Sequence, residues 1–277
     1  MAGHARGMLI RFLVFLCGIS PAFRRLLWRW WYGRLAKKFT LGSWTFMNYG
    51  FASPDGPPRR LDPADEPDRL CIQLYERVTA PAGLAGAEVL EVGSGRGGGA
   101  SYLARQHEPK KFTGADYSSQ AVALSRQRHA AVPNLTFAVG DAENLPFPAD
   151  SFDVVVNVES SHCYGHLDRF FAEVVRVLRP GGRFAYTDFR DVTGMAALEA
   201  ALAAQPGWEM VEREDITAGV LAALEADDAR KRRLIAELCP PRLQPIFGEF
   251  AGLSGGEIHT GFRARTLHYH RYLFRKK

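Results

Sequence analysis

Cysteine is scarce in this chain of 277 residues, and its copies are far apart. No two of them form a CxxC pair or a Cys/His cluster with the spacing of a metal site. This absence disfavours a disulfide scaffold and a structural zinc site, and it predicts a reduced, cytoplasmic protein. The four cysteines are Cys17, Cys71, Cys163 and Cys239.

Long hydrophobic runs are also missing. The apolar stretch Met8–Ser20 covers about thirteen residues and is interrupted by Arg11. A spanning helix needs about 20 apolar residues, and no small-residue cleavage site of a signal peptide is present. Basic and aromatic residues are interleaved across residues 24–38. This pattern predicts either an interfacial helix at the inner membrane face or a cap packed on the main domain.

The chain contains no long Lys/Arg tract and no internal repeat, although its net charge is +5 and its pI is near 9.1. The basic excess is concentrated before Lys38 and after Arg263, which indicates a local basic surface. Nucleic acid is therefore disfavoured as a partner. We expect a basic aromatic arm and lid over residues 1–60 and one catalytic domain over 61–277, with an acceptor-pocket insertion around 193–261.

Short apolar runs alternate with helical patterns through the middle of the chain, which predicts an α/β fold with a parallel sheet and helices on both faces. The RPGG at Arg179–Gly182 predicts a turn before the fifth strand, and the tail Arg263–Phe274 predicts a final strand. The other predicted strands are Ala87–Val92, Lys111–Asp116, Leu135–Val139, Phe152–Val158, Arg183–Asp188 and Trp208–Arg213. The predicted helices are Asp68–Val78, Gly98–Gln106, Ser118–His129, Leu167–Leu178, Ala196–Ala204 and Ala218–Leu238.

The stretch EVGSGRGGGASY, Glu91–Tyr102, has five glycines between a predicted strand and a predicted helix. A glycine-rich turn of this kind brings bare backbone N–H groups and a helix N-terminus close to a ligand. In an open α/β sheet the first such turn is the usual binding place. With Asp116 at the end of the second strand, a dinucleotide remains one candidate ligand.

Acidic residues at three strand ends favour a cationic ligand instead. Glu91 precedes the first glycine and would repel a pyrophosphate, whereas it can help to bind an ammonium or a sulfonium group. Asp141 follows the third strand, where it can accept a hydrogen bond from the exocyclic amine of adenine while the N–H of Ala142 donates. Together with Asp116, these residues fit S-adenosylmethionine (SAM).

Five motifs in order resemble a class I SAM-dependent methyltransferase across roughly Leu70–Phe189: ExGxGxG, GADYS, GDAENLPF, SFDVVVNVESSHCY and EVVRVLRPGG. Within that family the chain is most similar to enzymes of bacterial natural-product and lipid biosynthesis, such as the mycobacterial phthiotriol dimycocerosate O-methyltransferases. The resemblance implies a Rossmann-like sheet with a final antiparallel strand and a helical N-terminal arm. The NPPY motif of enzymes that methylate base amino groups is replaced by Asn157-Val158-Glu159-Ser160.

The resemblance also implies roles for particular residues. Three glycines of the loop would surround the methionine moiety of SAM, Asp116 would bind the ribose hydroxyls, and Asp141 with Ala142 would hold adenine. The candidate cofactor-binding residues are Glu91, Gly93, Ser94, Gly95, Gly97, Asp116, Tyr117, Asp141, Ala142 and Asn157.

Two further residues are candidates for catalysis. Transfer of a methyl group to an alcohol requires a base, because the hydroxyl is a poor nucleophile. His162 follows the fourth strand and Asp188 ends the fifth, and the two strands are neighbours in a parallel sheet. We expect His162 to deprotonate the acceptor while Asp188 orients it, as in related O-methyltransferases. The structural alternative is a histidine that closes its loop and an aspartate that caps a helix.

The acceptor pocket is expected to come from the N-terminal arm and from Thr193–Gly261, which are rich in Ala, Leu, Phe and Trp and predict a large apolar acceptor, either a polyketide or a lipid. Trp44 and Tyr49 could form part of a lid or of the core. C-methylation of the same class of acceptor, and a cyclase or pericyclase that binds SAM without transferring its methyl group, are the alternatives.

The histidines near the C-terminus do not predict a metal site. His268 and His270 share one face of a strand that we expect to be exposed, and neither they nor His259 have a carboxylate at ligand spacing along the sequence.

Overall fold

The computed structural model of this protein describes residues 45–53 and 60–277. In these ranges the chain forms a seven-stranded sheet with helices packed on its faces. The strands are β1 Glu88–Val92, β2 Lys111–Asp116, β3 Leu135–Val139, β4 Phe152–Val158, β5 Leu178–Asp191, β6 Trp208–Asp215 and β7 Leu267–Lys276. The α-helices are α1 Arg69–Thr79, α2 Gly98–Gln106, α3 Ser119–Arg128, α4 Leu167–Val177, α5 Val192–Ala204, α6 Thr217–Leu238, α7 Gln244–Phe250 and α8 Glu257–Arg263.

The strand order is β3-β2-β1-β4-β5-β7-β6. The first five strands in this order pair in parallel, whereas β7 is antiparallel to both β5 and β6. The predicted Rossmann-like α/β class and the final antiparallel strand are thus confirmed. The order of the strands reverses between β1 and β4, so the turns that follow these two strands open a crevice at the carboxyl ends of the sheet.

The predicted turn before the fifth strand is wrong. β5 already begins at Leu178, which pairs with Phe152, and pairing resumes with Arg183 opposite Val154. The RPGG residues are therefore an insertion within the strand. Gly181 has a φ of +77°, a left-handed conformation that glycine adopts without steric cost and that lets the extra residues bulge out of the ladder.

Other predicted boundaries shift for local reasons. Ser118 is the N-cap of α3 and not its first residue, because its Oγ accepts a hydrogen bond from Ala121 N at 3.2 Å. The predicted tail strand starts only at Leu267, because Glu257–Arg263 forms α8. Residues 1–44 of the predicted N-terminal arm, with its apolar stretch, its basic and aromatic residues and Trp44, lie outside the described residues, whereas residues 45–53 are described.

Two hydrophobic clusters cover the two faces of the sheet. On one face α1, α2 and α6 contribute Leu74, Leu103 and Leu224 to a core over β1, β2 and β4. On the other face α4 and α5 pack on aromatic side chains of β5, β6 and β7. Fully buried Phe184 lies at the centre of the second cluster, stacked on Trp208 at 5.5 Å between ring centroids.

Replacing Phe184 by alanine should lower the free energy of unfolding by about 3–5 kcal/mol, because a buried ring is lost and a cavity is left between β5, β6 and α4. Urea unfolding followed by circular dichroism measures this loss. Val192→Ala is the control: Val192 is 59% exposed, so its removal should change stability by about 0.5 kcal/mol or less. Equal effects of the two substitutions would contradict the assigned core.

Candidate active site

The glycine-rich loop between β1 and α2 needs its glycines for both conformation and packing. Gly93, Gly95 and Gly97 have φ values of +78°, +54° and +79°, in the left-handed region that other residues rarely adopt. A Cβ at position 93 would lie 2.3 Å from the Oγ of Ser160. The backbone of the loop is thus pressed against the turn that follows β4.

Asp116 connects the same loop to the end of β2 through hydrogen bonds. Its Oδ2 accepts a hydrogen bond from Gly95 N at 2.8 Å, and its Oδ1 accepts one from Ser118 N at 2.8 Å. Burial raises the pKa of Asp116 to about 6. A carboxylate held by backbone N–H groups at the lip of the crevice is fixed in place for a ligand that carries hydroxyl donors.

A cavity of about 640 Å³ opens at this crevice. This volume lies within the range of small-molecule and cofactor sites. One side of the cavity is formed by the glycine loop and by the turns after β2 and β3, and the other side by the turn after β4, residues 45–49 and residues of α7 and α8. The predicted cofactor-binding residues that line it are Gly93, Ser94, Gly95, Asp116, Tyr117, Asp141 and Ala142.

Three residues predicted to bind the cofactor, Glu91, Gly97 and Asn157, lie behind this lining. Glu91 is fully buried, its Oε1 accepts a hydrogen bond from the hydroxyl of Tyr75 at 2.6 Å, and burial raises its pKa to about 7. The Nδ2 of Asn157 donates to Val92 O at 2.9 Å. The side chains of Glu91 and Asn157 thus support the glycine loop from the side that faces away from the cavity.

Several buried polar atoms near the loop have no hydrogen-bond partner within the described part of the chain. They include Glu91 Oε2, Ser94 Oγ and Asn157 Oδ1. Each can accept a hydrogen bond, and buried polar groups without a partner are costly and rare. Their concentration at one place fits a site for a ligand that carries donors or positive charge, such as the ammonium and sulfonium groups of SAM.

The structure brings His162 and Asp188 together on the side of the cavity that includes residues 45–49, which we name the acceptor side because the sequence predicts the acceptor there. His162 Nδ1 lies 2.9 Å from Asp188 Oδ1. The fully buried Asp188 also accepts hydrogen bonds from His162 N at 2.9 Å and Ser161 Oγ at 2.6 Å, while Arg190 Nη1 lies 3.1 Å from it. Asp188 is therefore no helix cap; that position belongs to Asp191, which accepts from Gly194 N.

The pair shifts the pKa of both members. Burial by itself lowers the pKa of His162, but its neighbours Cys163 and Asp188 outweigh burial and raise it well above the ordinary histidine value. Burial would raise the pKa of Asp188, yet Arg190 and His162 hold it below the ordinary value. The imidazole is thus held by an ionised carboxylate, which fixes its tautomer with the proton on Nδ1.

Glu159 is a cavity residue to which the sequence reasoning gave no role. It follows β4 with a φ of +51°, a strained conformation for a side chain of this size. Its Oε2 accepts hydrogen bonds from Tyr49 N at 2.9 Å and from the hydroxyl of Tyr269 at 2.8 Å. Burial raises its pKa to about 7. An acidic residue immediately after a buried strand was the only signal available in the sequence.

Tyr49, for which the sequence left a lid and a core position open, is a buried residue of the cavity wall. It lines the cavity, and it is also buried against Phe189 and Phe262, with ring centroids 5.3 and 6.0 Å away. Phe189 in turn packs on the ring of His162 at 4.9 Å. The segment around Tyr49 therefore shapes the acceptor side next to the histidine.

The helices that follow β6 complete the acceptor side. α7 contributes Ile246, Glu249 and Phe250, and α8 contributes Glu257 and Ile258. This wall combines apolar surface with two carboxylates.

In the described part of the chain, no helix has the length and the apolar character that a membrane-spanning segment needs.

The histidines near the C-terminus differ from expectation. β7 is largely buried, and His270 with it. Asp215, which is distant from these histidines in the sequence, lies beside His268 and His270 on the neighbouring strand β6. His259 forms its own pair with Glu225 at 3.1 Å.

Comparison with known proteins agrees with this geometry. Residues 90–186 match the family model described as a methyltransferase domain. The phthiotriol/phenolphthiotriol dimycocerosates methyltransferase of Mycobacterium tuberculosis is 41% identical over 259 residues, which are 94% of this chain and 95% of that protein. The fatty-acid O-methyltransferase of Mycolicibacterium smegmatis is 40% identical over 233 residues, 83% of each chain.

A solved structure with the same fold is the geranyl diphosphate C-methyltransferase of Streptomyces coelicolor A3(2), in complex with Mg²⁺, geranyl diphosphate and S-adenosylhomocysteine. Its TM-score is 0.62 at 17% identity, and the match covers 89% of this chain and 98% of that one.

Asp188→Asn should lower the pKa of His162, because the negative charge that stabilises the imidazolium is removed while an amide oxygen still accepts from Nδ1. NMR titration of the histidine ring protons measures this shift. His107, which bonds to Glu76 elsewhere in the chain at 3.1 Å, is the internal control and should titrate as before. An unchanged pKa of His162 would contradict the assigned pair.

Proposed function

Because this chain belongs to the SAM-dependent methyltransferases, and to their lipid and natural-product type, we propose that it methylates a hydroxyl group of a large apolar acceptor, a polyketide or a lipid. His162 is the general base of the proposed reaction, and Asp188 is its positioning residue. The observation that carries this proposal is the His162–Asp188 pair beside the acceptor side of the cavity.

The cofactor half of the cavity fits SAM. The glycine loop would surround the methionine moiety, Asp116 the ribose hydroxyls, and the turn after β3 with Asp141 and Ala142 the adenine. When bound, SAM supplies an electrophilic methyl group on a sulfonium whose leaving group is a neutral thioether. The task of the protein is then to orient the acceptor and to remove its proton.

His162 is suited to receive that proton. Its Nδ1 is engaged by Asp188, so Nε2 is the nitrogen that would accept the hydrogen of the acceptor hydroxyl. The raised pKa makes the imidazole a stronger base and stabilises the imidazolium that forms. It also means that the neutral, competent imidazole predominates only above this raised pKa, so activity should rise as pH increases through the pKa of His162.

The charges on the acceptor side favour a neutral alcohol over a carboxylic acid. Glu249 and Glu257 both contribute to this wall. An ionised fatty acid would meet these two carboxylates in a partly desolvated cavity, whereas a hydroxyl meets no such repulsion. A carboxylate acceptor also needs no base, since it is already ionised, and the His162–Asp188 pair would then have no task.

C-methylation is the second candidate, and Glu159 is the observation that favours it. A buried carboxylate with a pKa of about 7 could stabilise positive charge that develops on an alkene acceptor, or remove a proton from carbon. The two reactions depend on different residues, so paired variants separate them.

His162→Ala should reduce kcat/KM for an alcohol acceptor by about 10²–10⁴-fold, the usual contribution of a positioned base. The Kd for SAM should stay nearly unchanged, because His162 faces the acceptor. Turnover is followed by mass spectrometry of acceptor and S-adenosylhomocysteine, and SAM binding by calorimetry. Glu159→Gln is the paired variant and should lose less of this activity than His162→Ala. Product fragmentation that places the new methyl group on carbon would identify C-methylation. An acceptor isomerised at constant mass with intact SAM would reveal a cyclase.

A long-chain secondary alcohol should be methylated at least tenfold faster than a fatty acid of equal length, because the acid is repelled by the acceptor wall. The double variant Glu249→Gln/Glu257→Gln should narrow this ratio by improving kcat/KM for the acid alone. Competition between the two acceptors in one reaction, read by product mass, gives the ratio directly. Preference of the unmodified enzyme for the acid would refute the choice of a hydroxyl.

A further inference from the structure

A cluster of two histidines and one aspartate lies at the ends of β6 and β7, and none of its members lines the cavity. Asp215 pairs directly with His270 across the two antiparallel strands. His268 is two residues from His270 on β7 and therefore shares its face of the sheet. The backbone of a paired ladder thus fixes the relative positions of all three side chains.

The spacing of the ligand atoms fits a metal ion. Asp215 Oδ2 lies 3.8 Å from His270 Nε2 and 3.9 Å from His268 Nδ1, and the three atoms are all within 4.8 Å of one another. Two ligand atoms that each lie about 2.1 Å from a tetrahedral zinc ion are about 3.4 Å apart. All three atoms therefore need to move closer together, which rotation of the partly exposed Asp215 and His268 side chains allows.

A second layer of contacts already orients these ligands. His270 Nδ1 lies 3.1 Å from Glu199 Oε1 and 3.1 Å from the hydroxyl of Tyr272, which leaves Nε2 directed towards Asp215. Asp215 Oδ1 accepts a hydrogen bond from Thr217 N at 2.9 Å. Metal-binding histidines typically have such a carboxylate on their second nitrogen, and ligating carboxylates are themselves hydrogen-bonded.

The cationic side chain of Arg265 lies against this cluster. Arg265 Nη2 lies 2.6 Å from Asp215 Oδ2, and the arginine side chain is 52% exposed. Its presence shows that the cluster attracts positive charge. Because the side chain is largely solvated, it can swing away when a smaller and more highly charged ion arrives.

We propose that Asp215, His268 and His270 bind a divalent transition-metal ion of the zinc class, with Arg265 displaced and water completing the coordination. Imidazole and carboxylate ligands in this number suit Zn²⁺ and Co²⁺ better than Ca²⁺ or Mg²⁺. The ion would tie β6 to β7. His270 O accepts from Thr187 Oγ1 at 2.8 Å on β5, one residue before Asp188, so the site braces the strand that carries the positioning carboxylate.

The test uses full-length, metal-stripped protein from which any affinity tag has been cleaved. Titration with Co²⁺ should give d–d absorption that saturates at one equivalent, without the intense sulfur charge-transfer band that a cysteine site would show. Competition of Zn²⁺ against a chromophoric chelator gives Kd, and thermal unfolding should shift upward with Zn²⁺.

His268→Ala and Asp215→Asn should each weaken Zn²⁺ binding by at least tenfold, and Glu199→Gln by about 10–100-fold through the second layer. Arg265→Gln should strengthen binding several-fold, because a competing cation is removed. His107→Ala, which breaks a histidine–carboxylate pair without a third ligand, should bind as the unmodified protein does. Thermal unfolding without metal confirms that each variant is folded.

Absence of stoichiometric binding would overturn the proposal. So would binding that persists unchanged in both His268→Ala and Asp215→Asn, because the ion would then be held elsewhere.

Discussion

The arrangement of the acceptor side depends on the hydrogen bonds and ion pairs of the buried Asp188 carboxylate. A buried ionised group is tolerated only where hydrogen-bond donors or opposite charges surround it. Here the partners are the backbone N–H and ring of His162, the hydroxyl of Ser161 and the guanidinium of Arg190. These contacts hold the short turn after β4 against the end of β5 and set the position of His162.

A second buried carboxylate links the remaining walls of the cavity. Glu159 joins the end of β4 to Tyr49 and to Tyr269 on β7. Its left-handed backbone turns the side chain toward these partners, and strain of this kind persists only when surrounding contacts compensate for it. Three segments far apart in the sequence thus meet at one residue, so the shape of the acceptor side depends on the assembled sheet and not on any single loop.

The parts of the fold that could be predicted are those specified by local pattern. β2, β3, β4 and α2 begin and end where apolar periodicity and glycine indicate. The failures arise from distant partners. RPGG reads as a turn until the pairing of the residues on either side of it, Leu178 and Arg183, with β4 is known. The hydrogen bond between Glu91 and the hydroxyl of Tyr75 also depends on a distant partner, and Asp215 becomes a neighbour of His270 only through strand register.

Similarity alone leaves the acceptor undecided, since the names of two relatives of nearly equal identity, 41% and 40%, point to different acceptors. The cofactor half cannot resolve this difference, because the same glycine loop can bind SAM whichever acceptor is methylated. The choice between an alcohol and an acid acceptor depends on the charged groups of the cavity wall opposite the glycine loop. A base held by a buried aspartate is useful only for a substrate that has a proton to lose, and the glutamates nearby repel one that has already lost it. Both features favour the alcohol, and they are independent, since one lies on β4 and β5 and the other on α7 and α8.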